Sequence, residues 1–330
     1  SNNLLWAINP DGSAVEGFPV ELGEKVKIGV ALADFNGNGK DDIIVGTDSD
    51  YLHLIYDDGS EAPGFPFEVG NNIQSAPSVL DVDDQKVIFF GCNDNNFYAV
   101  NSDGSLRFSI TADNKIYNSP AFLDHNNTFY IFFSDDGGIL HAVDTEGNLL
   151  SGWPVNSGET ISKSVVFSDL DNNGSAEVIV ATESANILVY NLDGTMYDGF
   201  PVLADQSFFS APMVSDMDGD GDLEIIAASG GSLQVLDIKL DGATDGYWSM
   251  FRGNTERTGY FEFTGGGSEC GASLGDVSGD GTINILDLVQ IANYILNIGD
   301  PAFECAADFT EDGTVNILDL VQIANFILDN

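Results

Sequence analysis

Three stretches of the sequence place carboxylate and amide side chains at alternate positions around a glycine. In 216–224, acidic residues occupy loop positions 1, 3, 5 and 9 with glycine at position 6, and 169–177 and 34–42 repeat this spacing. Alternating oxygen ligands around a tight glycine turn suit Ca²⁺, a hard cation that takes about six to eight oxygens. The alternative is a set of solvated Asp/Gly turns without an ion. The predicted ligands are Asp34, Asn36, Asn38, Asp42, Asp169, Asp171, Asn173, Glu177, Asp216, Asp218, Asp220 and Glu224.

Two related stretches, 81–85 and 124–128, lack both the glycine and the acid at position 9. We predict plain turns there.

A second type of acidic loop lies near the C-terminus. The 12-residue stretch 276–287 has the EF-hand-like pattern with glycine at position 6, and 308–319 repeats it 32 residues later. This spacing predicts two further Ca²⁺ sites, about five in the whole chain. Two chance Asp/Gly turns are the alternative. The predicted ligands are Asp276, Ser278, Asp280, Thr282 through its carbonyl, Asn284 through water, Asp287, Asp308, Thr310, Asp312, Thr314, Asn316 and Asp319.

The first set of loops belongs to an internal repeat that must position them. Segments of similar pattern start at Asp34, Asp81, Asp124, Asp169 and Asp216, with spacings of 47, 43, 45 and 47 residues. Each unit contains short apolar runs separated by turn residues, which is typical of four-stranded propeller blades. We therefore predict a mainly β protein, a β-propeller of five full blades plus a half blade, since residues 3–12 match the third strand and turn of a unit. The chain is expected to start in the middle of a blade, which upstream residues or another chain would complete.

This repeat resembles the FG-GAP/VCBS family of extracellular β-propellers, and the resemblance covers residues 1–263. It implies calcium-binding loops and a role in adhesion, ligand binding or scaffolding.

The composition changes after a Gly-rich linker at 264–269. Residues 270–330, with two calcium loops that each lead into one helix, resemble a type I dockerin domain. That resemblance implies folding with calcium and binding to a cohesin partner. Loop positions 10 and 11 depart from the hydroxyl pair usual in cellulosomal dockerins, which favours a different cohesin-like partner. The predicted partner-binding residues at these positions are Ile285, Leu286, Ile317 and Leu318.

The two C-terminal helices are apolar on nearly all sides. The segments 283–296 and 315–328 differ at only 2 of 14 positions. A two-helix domain cannot bury apolar side chains around the whole circumference of each helix. We expect some of this surface to meet the propeller, another copy of the chain or a cohesin-like domain.

Cys270 and Cys305 occupy equivalent places before the two C-terminal loops. This placement predicts a disulfide and an oxidising, extracellular compartment, with two free thiols as the alternative. Cys92 lies in a strand and is predicted to be buried.

The charge excludes some function classes. With 53 acidic against 10 basic residues and a net charge of −43, the chain lacks the cations needed to neutralise a nucleic acid. No apolar run is long enough to insert into a membrane. The pattern Gly-x-Ser-x-Gly at 271–275 lacks the strand–turn–helix setting of a nucleophile. An aromatic and basic cluster at Trp248–Arg252 is interpreted as closure packing.

These observations predict a non-catalytic, secreted or cell-surface calcium-binding protein for adhesion or structure. Its dockerin-like module would mediate attachment or self-assembly, including a homopolymeric fibre. The alternative is the C-terminal, non-catalytic part of a larger secreted hydrolase, a protease or a polysaccharide-degrading enzyme. A sugar-binding propeller is a third hypothesis, which requires aromatic side chains facing a pocket.

Overall fold

The computed structural model describes residues 3–83, 85–125, 128–161, 163–244, 246–261, 275–278, 283–296, 306–307, 309 and 315–329. The predicted ligands Asp280, Thr282, Asp308, Thr310, Asp312 and Thr314, both Cys270 and Cys305, and the linker 264–269 lie outside these residues. The chain divides into two compact units, residues 1–263 and 264–330.

The first unit is a propeller of antiparallel sheets, as the repeat predicted. Each blade is a meander whose neighbouring strands follow one another in sequence. Blade 1 contains β3 (Ala31–Ala33), β4 (Asp42–Gly46), β5 (Tyr51–Ile55) and β6 (Phe67–Glu68); blade 2 contains β7 (Ser78–Val82), β8 (Gln85–Gly91), β9 (Asn96–Asn101) and β10 (Leu106–Thr111). Blade 3 contains β11 (Ala121–His125), β12 (Thr128–Ser134), β13 (Ile139–Asp144) and β14 (Val155–Asn156); blade 4 contains β15 (Val166–Ser168), β16 (Glu177–Ala181), β17 (Asn186–Tyr190) and β18 (Val202–Leu203).

The two ends of the array are incomplete blades. A two-stranded sheet, β1 (Leu4–Leu5) with β2 (Val20–Glu21), corresponds to the predicted half blade. Blade 5 contains β19 (Met213–Ser215), β20 (Asp222–Ala228) and β21 (Leu233–Asp241). It differs from the predicted full blade, because no fourth strand pairs with β21 in the described part of the chain. After β21 the backbone turns inward, and Ala243 pairs with Asp169 of blade 4 instead of continuing along the rim.

The core lies between neighbouring blades. Every residue of β4 and of β16 is buried, because both faces of a second strand are covered by the adjoining sheets. Aromatic side chains fill the wider spaces between blades 2 and 3. Phe97 stacks on Phe133 with ring centroids 3.9 Å apart, and Phe133 stacks on His141 at 4.7 Å. Burial of such apolar surface contributes about 25 cal/mol per Å².

Residues 246–261, which we call the hub segment, run along the first strands of all five blades. The N–H groups of Phe167 and Val214 donate to the Trp248 and Ser249 carbonyls, both at 2.9 Å. The hub segment also accepts hydrogen bonds from first strands of blades 1 and 2, Leu32 to Thr258 at 3.0 Å and Val79 to Gly259 at 2.7 Å. In blade 3, Phe122 packs edge-on against Trp248. The segment ends in β22 (Tyr260–Phe261), which pairs in parallel with β7.

Arg252 fixes the middle of the hub segment. Its side chain is only 4% exposed, and its guanidinium donates to the carbonyls of Val30 at 2.6 Å, Thr258 at 3.0 Å and Arg257 at 3.1 Å. Burial lowers the pKa of Arg252 to about 10. The cluster predicted for closure packing therefore lies at the centre of the first unit.

The second unit contains two helices, α1 (Ile285–Ile295) and α2 (Ile317–Asp329), each following a predicted calcium loop. Asn284 begins α1 as its N-cap, with Asp287 completing a capping box. The described core consists of Val277, Ile291, Ala306, Ala307 and Ile323. No helix in the described residues has the length and apolar character that crossing a membrane requires.

Candidate functional sites

The three propeller loops share one hydrogen-bond arrangement. Each connects the first and second strands of a blade. The N–H group at loop position 2 donates to the carboxylate at position 9, and the glycine N–H at position 6 donates to the aspartate at position 1. The first bond joins Phe35 to Asp42 at 2.8 Å, Leu170 to Glu177 at 2.7 Å and Met217 to Glu224 at 2.7 Å; the second joins Gly39 to Asp34 at 2.7 Å, Gly174 to Asp169 at 2.8 Å and Gly221 to Asp216 at 3.2 Å.

Glycine at position 6 is required by the backbone. Gly39, Gly174 and Gly221 have φ angles of 80°, 83° and 94°, in the left-handed region where a Cβ atom is strained. The loop therefore curls back so that its acidic side chains converge.

The blade 5 loop has the highest density of carboxylates. Carboxylate oxygens of Asp218, Asp220, Asp222 and Glu224 lie within 4.8 Å of one another. The sequence analysis did not select Asp222, because it falls at position 7, where the EF-hand pattern uses a backbone carbonyl. Its Oδ1 atom is buried and has no hydrogen-bond partner within the described part of the chain. The sequence signal for Asp222 is that an acidic residue stands between the predicted ligands Asp220 and Glu224.

Crowding changes the acidity of this cluster. A hydrogen bond with Asp220 raises the pKa of Asp222 to about 6, and repulsion from Asp220 raises the pKa of Asp218. A bound divalent cation would relieve both effects, since it favours the ionised carboxylates.

The blade 4 loop is more buried. Oxygens of Asp169, Asp171 and Glu177 lie within 4.8 Å of one another, and the Tyr197 hydroxyl donates to Asp171 at 3.2 Å. Glu177 is only 1% exposed, and burial raises its pKa to about 7. Asn173, the remaining predicted ligand, accepts the N–H of Ser175 and stays at the rim of the loop.

The blade 1 loop contains only two carboxylates among its four predicted ligands. Asp34 and Asp42 have the shared hydrogen bonds, and the Asn36 amide donates to Asp42 at 3.4 Å. The Asn38 amide donates instead to Asp57 at 2.8 Å, which also pairs with Lys40 at 2.7 Å. A fixed lysine nearby and fewer acids make this the weakest of the three candidate cation sites.

The two stretches without the motif form tight hairpins. Val82 pairs with Gln85 at the end of β7, and His125 pairs with Thr128 at the end of β11. The strand ends that these connections join are closer in sequence than those of the acidic loops, while residues 84 and 126–127 lie outside the described residues and the prediction of plain turns stays a prediction.

In the second unit the described ligands of the first loop come together. Asp276 and Asp287 are buried, the Ser278 N–H donates to Asp287 at 2.9 Å, and the Ser278 hydroxyl donates to Asp276 at 3.2 Å. The Asn284 side-chain oxygen accepts the N–H of Leu286 at 2.8 Å, so it acts as a helix cap.

The second loop repeats the described part of this arrangement. Asp319 is buried and accepts the N–H of Asn316 at 2.8 Å, while the Asn316 side chain caps α2 through Leu318.

Both helices of the second unit expose apolar side chains at equivalent positions. Ile285 and Ile317 are 72% and 60% exposed. The buried positions, Ile291 and Ile323, lie on the opposite faces. The other exposed members of this set are Leu286, Leu318, Val289 and Val321. We call these four residues, together with Ile285 and Ile317, the apolar pairs.

Comparisons with known families identify both parts of the chain. The type I dockerin domain profile matches residues 274–328, and the FG-GAP-like repeat profile matches residues 169–227, which includes the blade 4 and blade 5 loops. The chain thus contains an FG-GAP-like repeat and a type I dockerin domain, as the sequence predicted. No curated protein matches the chain. Type I dockerin domains bind Ca²⁺ and cohesin domains, and they occur in extracellular or cell-surface proteins.

Solved structures with propeller-like folds match the first part of the chain. BamB from Moraxella catarrhalis has a TM-score of 0.53 at 14% identity, covering 74% of this chain and 70% of that one. BBS1N in complex with ARL6DN has a TM-score of 0.51 at 13% identity, covering 72% of each. The V. cholerae biofilm matrix protein Bap1 has a TM-score of 0.51 at 18% identity, covering 66% of this chain and 39% of that one.

These similarities show the fold alone. The chain spans 39% of Bap1 and 63% of a further BBS1N structure. Activity and partners of the whole protein are therefore a matter of proposal.

Proposed function

We propose that this protein is a non-catalytic, extracellular attachment protein. Its propeller serves as a calcium-stiffened adhesion or scaffold unit, and its dockerin domain attaches it to a cohesin-like domain of another protein. The two matched modules are non-catalytic where they occur. The observation that carries the proposal is the exposure of the apolar pairs on a domain whose family binds protein partners.

The apolar pairs are too exposed for a self-contained domain. Six large apolar side chains, between 47% and 72% exposed, repeat on two short helices. Isolated exposed leucines are normal on a protein surface, but a duplicated set on one small domain marks an interaction site. No ionised side chain interrupts the set on either helix, because Asp287 and Asp319 are buried at the calcium loops. The partner is expected to present an apolar surface of matching size.

Calcium supports the attachment by fixing the loops from which the helices start. We propose three propeller sites and two dockerin sites with the ligands predicted above, and Asp222 as an additional ligand in blade 5. The buried carboxylates of the loops, Glu177 and Asp287 among them, are the groups that an uncompensated charge would destabilise most.

Self-assembly is the second candidate, favoured by a specific feature of blade 5. The outer edge of β21 has no partner strand within the described residues, and Leu233 and Val235 are 61% and 49% exposed there. Unpaired strand edges are templates for pairing with another chain, so a second copy is the alternative partner and a homopolymer the alternative assembly.

The test uses the full chain in excess calcium and a panel of recombinant type I cohesin domains on a biosensor surface. We expect at least one cohesin to bind, binding to be lost in EDTA, and the double variant Ile285→Asp, Ile317→Asp to lose about tenfold or more in affinity. The control is Leu203→Asp, since Leu203 is also 72% exposed but lies on the propeller.

Light scattering of the same samples separates the two candidates. A monomer that binds a cohesin supports heterotypic attachment, whereas an oligomer that persists in the double variant supports self-assembly through the edge of β21. A chain that is monomeric and binds no cohesin would refute the attachment role.

A further inference from the structure

The propeller has a polar cavity that neither the calcium loops nor the dockerin domain accounts for. Its volume is about 350 Å³, and it is lined by residues that precede the first strands of blades 1 to 4 and by Asp136 and Glu183, which connect the second and third strands of blades 3 and 4. The calcium loops follow those strands, so the cavity lies at the opposite end of the propeller axis. Small-molecule sites range from about 300 to 1,000 Å³, which places this cavity at the small end of that range.

The lining comes from equivalent positions of the repeated blades. In each of the first four blades an isoleucine precedes the first strand, Ile28, Ile73, Ile116 and Ile161. The next positions differ from blade to blade and supply the cavity with Gln74, Tyr117, Asn118 and Lys163. The repeat therefore keeps its apolar anchor and varies the residues at the cavity, which is how one repeated scaffold can assemble a heterogeneous site.

Several side chains at the cavity already form hydrogen bonds or ion pairs with other residues of the protein. Lys27 pairs with Asp48 at 2.6 Å, and the Gln74 amide nitrogen donates to Asp48 at 3.1 Å. The Asn118 amide donates to Ser134 at 2.7 Å and to the Ile161 carbonyl at 3.2 Å. These bonds hold the cavity wall in place.

Other groups remain available. Lys163 makes no ion pair and the Tyr117 hydroxyl makes no hydrogen bond within the described part of the chain. The carboxylates of Asp136 and Glu183 are exposed at the same cavity. Donors, acceptors and one aromatic ring thus surround a small concave space. Since Lys27 is paired with Asp48, Lys163 is the lysine of the lining that faces Asp136 and Glu183 without an ion pair in the described residues.

We propose that this cavity binds a saccharide. Each sugar hydroxyl donates and accepts a hydrogen bond, which suits a lining that alternates an ammonium, a phenol, an amide and carboxylates. The half-buried Tyr117 lines the cavity, and an aromatic ring is a suitable contact for the apolar face of a pyranose. A neutral sugar needs no counter-charge from the lining, and Lys163 is the available partner for a uronate carboxylate.

The experiment exposes the full chain, in excess calcium, to an array of immobilised neutral-hexose and uronate oligosaccharides. We expect binding of at least one of them and a loss of about tenfold in affinity for Tyr117→Ala. The matched control is Phe209→Ala, because Phe209 occupies the register of Tyr117 in blade 5 but does not line the cavity.

A second variant distinguishes the two kinds of sugar. Lys163→Met should weaken uronate binding by about tenfold and leave neutral sugars unchanged if the ligand is acidic. If the ligand is neutral, Tyr117→Ala alone should have the large effect. Lys40→Met is the control, since Lys40 is an exposed lysine in the blade 1 acidic loop and does not line the cavity.

Two results would overturn the proposal: no oligosaccharide binding at all, or binding that survives both Tyr117→Ala and Lys163→Met. The variant Ile285→Asp, Ile317→Asp should bind sugars normally, so failure of the attachment role and failure of this cavity are separate outcomes.

Discussion

In the blade 4 loop, the carboxylate at position 9 both accepts a backbone hydrogen bond and belongs to the acidic cluster. Glu177 accepts the N–H group of Leu170 and shares a cluster with Asp169 and Asp171, yet it is almost completely buried. A single backbone hydrogen bond does not offset the cost of burying its charge, which is why its pKa rises to about 7. The loop is therefore built around a group that needs either a proton or a cation.

This arrangement predicts that, without calcium, the stability of the propeller falls as the pH rises. Because the pKa of Glu177 is raised in the folded state, its contribution to stability is complete below its unfolded value of 4.5 and is lost as the pH rises towards about 7. Asp222, whose pKa is raised to about 6, acts in the same direction. We expect the melting temperature of the propeller in EDTA to fall as the pH rises through this window, and calcium to remove or reverse the trend.

Scanning calorimetry at a series of pH values measures this effect. The variant Glu177→Gln cannot titrate and should show a flatter slope in EDTA than the unmodified chain. A melting temperature that rises with pH in EDTA, with the same slope in both proteins, would contradict the assignment.

At the scale of elements, a turn of one blade packs directly against the next. Gly64 lies before the fourth strand of blade 1 with a φ of 89°, and a Cβ atom there would lie 2.0 Å from the Asp103 carbonyl oxygen of blade 2. Gly199 of blade 4 has the same φ, but nothing lies within 4 Å of its Cβ position. The two glycines differ only in whether a neighbouring blade touches them.

Alanine substitutions at these two glycines distinguish the cost of backbone strain from the cost of disturbing the contact between blades. Gly199→Ala should destabilise the propeller by about 1–2 kcal/mol through its left-handed backbone alone. Gly64→Ala should cost about 2 kcal/mol more, because the neighbouring carbonyl must move. Urea denaturation gives both values, and equal losses would mean that the blade contact adjusts without cost.

The hub segment is the second element whose energetics are testable. Arg252→Ala leaves the carbonyls of Val30, Arg257 and Thr258 without their donor, so we expect a loss of about 3 kcal/mol in unfolding free energy. Arg257→Ala removes an exposed side chain from the same segment and should change stability by less than about 0.5 kcal/mol. Similar losses in both variants would show that Arg252 does not fix the hub.

The elements were predictable where they depend on local pattern. Alternating apolar runs and Asp/Gly turns suffice for the blades, and the duplicated C-terminal loops suffice for the helices that follow them. The capping role of Asn284 and Asn316 was not predicted, because both were assigned as calcium ligands. The route of 246–261 was not predictable, because its hydrogen bonds go to the first strands of four blades, most of them far away in sequence. Asp222 was missed for a similar reason: side-chain convergence in the folded loop, and not ligand spacing, brings it to the cluster.

At the scale of the whole molecule, the two units differ in the size of the buried apolar core that stabilises them. The propeller buries four apolar clusters between its blades, whereas the described core of the dockerin unit has five fully buried apolar residues, two of them alanines. Small domains of this kind depend on metal binding or a disulfide for their fold. Pairing of Cys270 with Cys305 remains a prediction.

Calcium removal should therefore affect the units unequally. We expect two calorimetric transitions, both at lower temperature in EDTA, with the larger shift in the transition of the dockerin unit. Hydrogen exchange of α1 and α2 assigns that transition. Insensitivity of both transitions to EDTA would exclude structural calcium in either unit.

The route of the hub segment also determines how the protein responds to tension. The chain passes from β22 on the propeller axis into the dockerin unit, so a pull on a tethered dockerin first loads Tyr260 and Phe261, which pair with Val79 and Leu80. A tether at the rim would peel one outer strand at a time. A tether at the end of the hub segment instead loads its hydrogen bonds to the first strands of blades 2, 1, 5 and 4 in turn, so we expect these bonds to break in sequence from β22 backwards.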